Sequence, residues 1–191
     1  MELILASASP RRSELMSRMG LEFVVRTASC DETLDPFAAP EDEAARLSLM
    51  KAQAVLPRCK ADDVIVAADT IVVCDSLMMG KPRSESEAFS MLQRLSGREH
   101  QVMTGLTVLS ARHKETVTVT TGVRMRELSE AEIRAYIATG EPMGKAGAYA
   151  VQGLASMFIM GIDGDYYNVM GLPVCTLTTI LRKCGIQPLG V

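Results

Sequence analysis

Arg11 and Arg12 stand side by side at the end of Leu5-Ala6-Ser7-Ala8-Ser9-Pro10, and two adjacent guanidiniums after a hydroxyl-rich turn suit an anion. Ser9 is a good helix N-cap, and Pro10 fits the first helical position, where its missing N–H costs nothing. The apolar stretch from Met1 to Leu5 reads as a strand, so a strand ends where a helix begins. The free N–H groups and positive dipole end of such a helix favour phosphate, and two planar guanidinium forks add charge and geometry. The guest that fits this chemistry is a polyphosphate. The plain alternative is a Ser-capped surface helix with solvated arginines.

Features further along the chain bear on that choice. Asp69 is followed by Thr70 and lies between the apolar runs Val64-Ile65-Val66-Ala67-Ala68 and Ile71-Val72-Val73. A carboxylate placed there is costly unless paired. Glu32 belongs to the acidic loop Cys30-Asp31-Glu32-Thr33, Lys51 to a helical stretch, and Lys81 to the turn Gly80-Lys81-Pro82. Two carboxylates such as Glu32 and Asp69 can hold Mg²⁺ or Mn²⁺ through oxygen, while arginine and lysine neutralise the remaining phosphate charge. Asp69 can also take a proton from an attacking water. The amide of Gln152 suits the edge of a pyrimidine base. Each residue also has an ordinary reading: Asp69 and Thr70 as a turn or cap between strands, Glu32 and Lys51 as solvated charges, Lys81 as decoration of a turn, and Gln152 as a loop amide.

The elements that must position these groups alternate. A first helix runs over residues 10–19 to Gly20, a strand over 22–27, and a helix introduced by Pro40 over 41–56. In that second helix Leu47, Met50 and Ala54 recur at amphipathic spacing. The apolar runs around Asp69 read as a buried strand interrupted by polar groups. Ser84 with Glu87, and Ser129 with Glu132, have capping-box spacing for helices over 84–95 and 129–138. Between those helices, residues 100–109 and 115–126 pattern as a long hairpin. Gly140 to Gly153 is a glycine-rich loop long enough to be functional. Residues 157–162 and 164–169 resemble a short hairpin, and Gly171-Leu172-Pro173 opens a last helix ending near Cys184. Strands alternating with helices around a central hairpin predict an α/β fold with a mixed sheet flanked by helices.

With 191 residues, 48% of them hydrophobic, the chain can bury a substantial core in one domain or two closely joined lobes. A net charge of −3 argues against a general nucleic-acid coat and leaves room for a local basic pocket and a small substrate. No run approaches a membrane span, and Glu2 stands where a secretory signal carries basic residues, so the expected compartment is the cytoplasm, with no membrane partner. The five cysteines are scattered and lack C-x-x-C spacing, which predicts reduced, mostly buried thiols rather than disulfides or a zinc site. Only His100 and His113 are present, so any metal is expected to be a hard ion held by carboxylates.

The segments Ser7-x-Ser9-Pro10-Arg11-Arg12, Asp31-Glu32, Ala68-Asp69-Thr70, Gly80-Lys81-Pro82 and Lys145-Ala146-Gly147-Ala148-Tyr149-x-x-Gln152-Gly153 resemble, in this order, the motifs of the Maf family. Leu95-Ser96-Gly97-Arg98-x-His100-x-Val102-x-Thr104-Gly105 and the stretch from Gly164-Asp165-Tyr166 to Gly171-Leu172-Pro173 extend the likeness over essentially all of residues 1–191, read as a single Maf-like domain. The resemblance implies a two-lobed, inosine triphosphatase-like fold with a cleft. It also implies a nucleoside triphosphate pyrophosphatase in which water attacks the α-phosphorus with help from Mg²⁺ or Mn²⁺. The Lys145–Gly153 form resembles the dTTP and UTP branch. By the matched motifs, Asp69 takes the catalytic-base position and Arg11, Thr70 and Gln152 take positions linked to substrate selection. Ser9, Arg12, Glu32, Lys51 and Lys81 surround phosphate or metal, and a homodimer is the assembly suggested. One departure stands out: the branch commonly has aspartate before Lys-Ala-Gly, and this chain has Gly144. Two other readings stay open, a house-cleaning enzyme for modified nucleotides and a regulatory nucleotide-binding protein of cell division without turnover.

Overall fold

The computed structural model of the chain describes residues 1–27 and 29–190. In order the elements are β1 (Leu3–Leu5), α1 (Pro10–Arg18), β2 (Val24–Val25), α2 (Pro40–Val55), β3 (Val64–Cys74), β4 (Leu77–Met79), α3 (Glu85–Leu95), β5 (Glu99–Leu109), β6 (Lys114–Met125), α4 (Glu130–Ala138), β7 (Ile159–Asp163), α5 (Tyr166–Met170) and α6 (Val174–Lys183). The strands join a sheet in the order β2-β1-β3-β5-β6-β7, with β4 paired to β3. The sheet is mixed. β1 runs parallel to β2 and to β3, with Leu5 opposite both Val25 and Val66, whereas β4 on β3 and β7 on β6 are antiparallel.

The chain forms two compact units, the first made of Met1–Asp69, Thr104–Val119 and Gly171–Val191, the second of Thr70–Met103 and Thr120–Met170. β3, β5 and β6 each contribute residues to both, and β3 changes unit between Asp69 and Thr70. That strand is continuous: the two polar residues stay extended within it and do not make the expected break between two strands.

In the first unit, Ile4 and Ala6 pack with Ile65 and Ala67 of β3, Ala52 and Val55 of α2, and Leu109 of β5. The buried residues of α2 are Glu43, Ala44, Leu47, Ser48, Lys51, Ala52 and Val55, and Met50 and Ala54 are only half-buried. The inward face is therefore rotated from the predicted one, and a contact with β5 accounts for it. A Cβ on Gly105 would lie 2.0 Å from the Ala44 carbonyl oxygen, so the missing side chain lets α2 seat against the strand backbone. That rotation turns Lys51 inward.

In the second unit, Ser84 accepts the Glu87 N–H at 3.2 Å, but the Glu87 carboxylate turns to the Arg83 N–H and leaves the box half made. Ser129 and Glu132 close a complete box on α4, which packs against α3. Two further expectations fail. Residues 164–169 are not a strand: Asp165 Oδ1 accepts the N–H groups of Tyr167 and Asn168 at 2.8 and 3.2 Å and starts α5, and β7 pairs instead with β6, Ile162 opposite Val123. The strand over 22–27 shrinks to two residues. The cysteines are free thiols but not mostly buried as expected: only Cys74 is buried, Cys175 is exposed, and the rest are half-buried. No helix among the described residues is long and apolar enough to cross a membrane.

Candidate active site

Lys51 and Asp69 are 5% and 7% exposed, and charges so placed must be paired. Lys51, on the inward stripe of α2, brings its Nζ to 2.5 Å from Asp69 Oδ1 and 3.1 Å from Glu32 Oε1. An ammonium with three donors thus gathers a strand carboxylate and a loop carboxylate around one point. The ordinary reading of Asp69 as a turn or cap between strands is excluded by its place inside β3.

Arg12 is buried at the start of α1, in the same unit. Its Nε donates to the Gly171 carbonyl at 2.7 Å, and its Nη1 donates to Ser7 Oγ at 3.3 Å. Ser7 Oγ also accepts the Ser9 N–H at 3.2 Å, which locks the strand-to-helix turn. Burial draws the Arg12 guanidinium below its ordinary value, with Asp69 and Glu32 opposing and Arg11 adding to the shift. Starting from so high a value it stays a cation at neutral pH. Two of its donor atoms are therefore committed to bracing the turn as well as charging it. Ser9 holds the N-cap position with extended backbone, but its side chain makes no capping bond, contrary to the N-cap reading. Arg11 follows Pro10 in the first turn, half-buried.

Glu32, Lys51, Asp69, Ser9, Arg11 and Arg12 all belong to the first unit, and within it Lys51 joins Glu32 to Asp69. Thr70, Lys81 and Gln152 belong to the second. Thr70 is half-buried in β3, Lys81 is exposed in the turn after β4, and Gln152 is exposed in the glycine-rich loop. The loop is tied to the Lys81 turn by the Gly147 N–H, which donates to the Gly80 carbonyl at 3.1 Å. Gly147 has φ +65° and presses on Val72, so no side chain fits there. On the other side Tyr149 Oη meets His100 Nε2 at 2.8 Å in a buried pair. Burial lowers the imidazole to about 4 and raises the phenol, so both are neutral at pH 7. Three groups escaped the reading of the sequence as site parts: Ser7, the Gly171 carbonyl and Glu141. Ser7 and Gly171 carried a signal, their places in the first and last family-like segments, and Glu141 carried none.

Glu32 and Asp69 offer hard oxygen donors, and among the described residues no group of three or more His, Cys, Asp and Glu side chains is placed to hold a metal ion. That donor set fits Mg²⁺ or Mn²⁺, which bind through one or two carboxylates and complete their shells with substrate phosphates and water. It lacks the histidine or cysteine ligands around which zinc sites are built.

A mixed α/β sheet thus carries a buried lysine paired with two carboxylates, together with a helix start braced by a buried arginine. The chain belongs to the Maf family: residues 2–184 match it under the description Maf-like protein. A dTTP/UTP pyrophosphatase from Pelotomaculum thermopropionicum is 45% identical over 98% of this chain and 99% of its own length. One of the same name from Moorella thermoacetica is 44% identical over 99% and 98%. One from Bacillus cereus is 43% identical over 97% of each. Among solved structures, the Ham1 protein of Staphylococcus aureus shares the fold, with TM-score 0.54, 12% identity and coverage of 96% of this chain and 99% of that one. The mixed α/β architecture expected from the sequence is the one found.

Proposed function

We propose that this protein is a nucleoside triphosphate pyrophosphatase that hydrolyses dTTP and UTP to the nucleoside monophosphate and pyrophosphate. The observation that carries the reading is the buried contact of Lys51 with Asp69, 2.5 Å long, with Glu32 on the same ammonium. Asp69 accepts the proton of a water whose oxygen attacks the α-phosphorus, the bond to the bridging oxygen of the β-phosphate breaks, and pyrophosphate leaves. Lys51 orients the carboxylate for that transfer. Arg12, fixed by Gly171 and Ser7, and Arg11 beside it supply positive charge at the helix start. Ser9 and Lys81 are assigned to the phosphates, and Thr70 and Gln152, with Arg11, to selection of the substrate. Glu32 and Asp69 would hold Mg²⁺ or Mn²⁺, whose charge stabilises the phosphate oxygens when it is bound.

The curated relatives carry the name dTTP/UTP pyrophosphatase at nearly full coverage, which supports the pyrimidine choice. The regulatory reading without turnover is not favoured, because relatives matched over nearly their whole length carry the name of an enzyme. The deciding experiment is pyrophosphate release from a panel of canonical and modified triphosphates with Mg²⁺ or Mn²⁺, wild type beside Asp69→Asn, both checked for folding. Activity on dTTP and UTP that disappears in the variant supports the proposal. A near-normal rate in the variant overturns the role of Asp69, and preference for another base overturns the pyrimidine assignment.

A further inference from the structure

Gln152 occupies the third position of a tight turn closed by the Gly153 N–H on the Ala150 carbonyl at 3.0 Å. Both flanks of this turn are held by one pair of side chains. Before it, the Ala150 N–H donates to Tyr136 Oη at 3.2 Å, and that hydroxyl in turn donates to Glu141 Oε1 at 2.9 Å. After it, the Leu154 N–H donates to Glu141 Oε2 at 3.0 Å and the Ala155 N–H to Oε1 at 3.3 Å. Glu141 is itself anchored, its N–H on Thr139 Oγ1 at 3.2 Å and its carbonyl accepting Lys145 Nζ at 2.5 Å. Gly153 is what lets the carboxylate approach, because a Cβ there would lie 2.4 Å from Glu141 Oε2.

We propose that Glu141, relayed by Tyr136, is a positioning residue for Gln152 and so sets how strongly the enzyme prefers a pyrimidine base. This rests on the reading that Gln152 meets the base. The carboxylate does not touch substrate; it fixes the backbone from which the amide is presented. Burial opposes its charge, but the Leu154 and Ala155 N–H groups and the Tyr136 hydroxyl outweigh that and hold the carboxyl below the usual range. An ionised acceptor on both oxygens is what three converging donors require. Glutamine at this place keeps the shape and turns one acceptor into an NH₂ that faces an N–H.

The test measures kcat and KM for dTTP and dGTP, and amide hydrogen exchange over residues 150–155, in wild type, Glu141→Gln, Tyr136→Phe and Gln152→Ala. In Glu141→Gln the KM for dTTP is expected to rise about tenfold with kcat held within about threefold, as loss of charge-assisted bonds predicts. The dTTP preference should narrow toward that of Gln152→Ala, and the Leu154 and Ala155 amides should exchange faster. Tyr136→Phe, which keeps the packing on Phe158, should move in the same direction by less. Unchanged exchange, or an unchanged dTTP preference, overturns the proposal, as does a fall in kcat on both substrates with KM unaltered. If Gln152→Ala alone keeps the wild-type preference, the base-reading role fails and the specificity claim falls with it. The exchange data still report separately whether Glu141 holds the turn.

Discussion

Lys51 Nζ lies 2.5 Å from Asp69 Oδ1, a helix lysine and a strand carboxylate paired away from water. Asp69→Asn keeps the volume and a carbonyl for the ammonium but removes the proton acceptor. Turnover of dTTP is expected to fall by about 10²–10⁴, the range for a lost general base. Glu32 continues to neutralise Lys51, so thermal unfolding should still be cooperative. Pyrophosphate release and a melting curve on one preparation check both halves.

Arg12→Lys keeps the charge and loses the fork. A single ammonium cannot meet the Gly171 carbonyl and Ser7 Oγ as the guanidinium does. The expected result is a stability loss of about 1–3 kcal/mol from the unsatisfied partner, with a raised KM for triphosphate. Denaturant unfolding beside steady-state kinetics reads this, and a variant with wild-type stability and KM would remove the bracing role.

Gly105→Ala places a methyl carbon 2.0 Å from the Ala44 carbonyl oxygen, where rigid helix backbone leaves no room. The helix must back away from β5, at a cost of about 3 kcal/mol or more given the 1–3 typical of a well-packed core. Because Lys51 rides on that helix, activity should fall with stability. Soluble yield and melting temperature are the measurements.

His100 predicts a pH dependence. Burial holds the imidazole at about 4, and His100 Nδ1 has no hydrogen-bond partner among the described residues, so the folded protein keeps this ring neutral. The unfolded chain binds a proton near pH 6.5, and a group with a depressed cationic pKa stabilises the fold above that value. The contribution is complete above pH 6.5 and is lost as pH falls to 4, by about 3 kcal/mol. Unfolding free energies across that window should slope upward with pH, and less so in His100→Gln.

Gly144→Asp restores the residue common in the branch. Gly144 has φ +73° with open space where a side chain would begin, and the loop around it is already closed by Lys145 Nζ on the Glu141 carbonyl and by the Lys145 N–H on the Pro142 carbonyl. The substitution should cost about 1 kcal/mol in left-handed backbone strain and change the KM for dTTP by less than about twofold. A large fall in KM would mean that the missing carboxylate matters for binding.

Where a signal was local, the residues alone were enough. The capping box of Ser129 and Glu132, Pro10 at the start of α1, and the buried apolar runs on either side of Asp69 depend on neighbours a few positions apart, whereas the joining of those runs into one strand was not legible. The family likeness was equally legible, since it rests on residue types in order. What failed was also local in appearance: residues 164–169 pattern like a strand, but Asp165 caps a helix there, and Ser9, an apt cap by type, makes no such bond.

The sequence by itself determined the alternation of elements, the charged residues available for phosphate chemistry, and the family that orders them. Only the tertiary structure decided that Lys51 faces Asp69 and Glu32, that Arg12 braces Gly171 across 159 positions of chain, and that Glu141 grips the Gln152 turn. The reason is physical. Periodicity reports that a face is buried but not against what, and the partner of a buried charge is chosen by packing, such as the close approach at Gly105 that turns α2 inward.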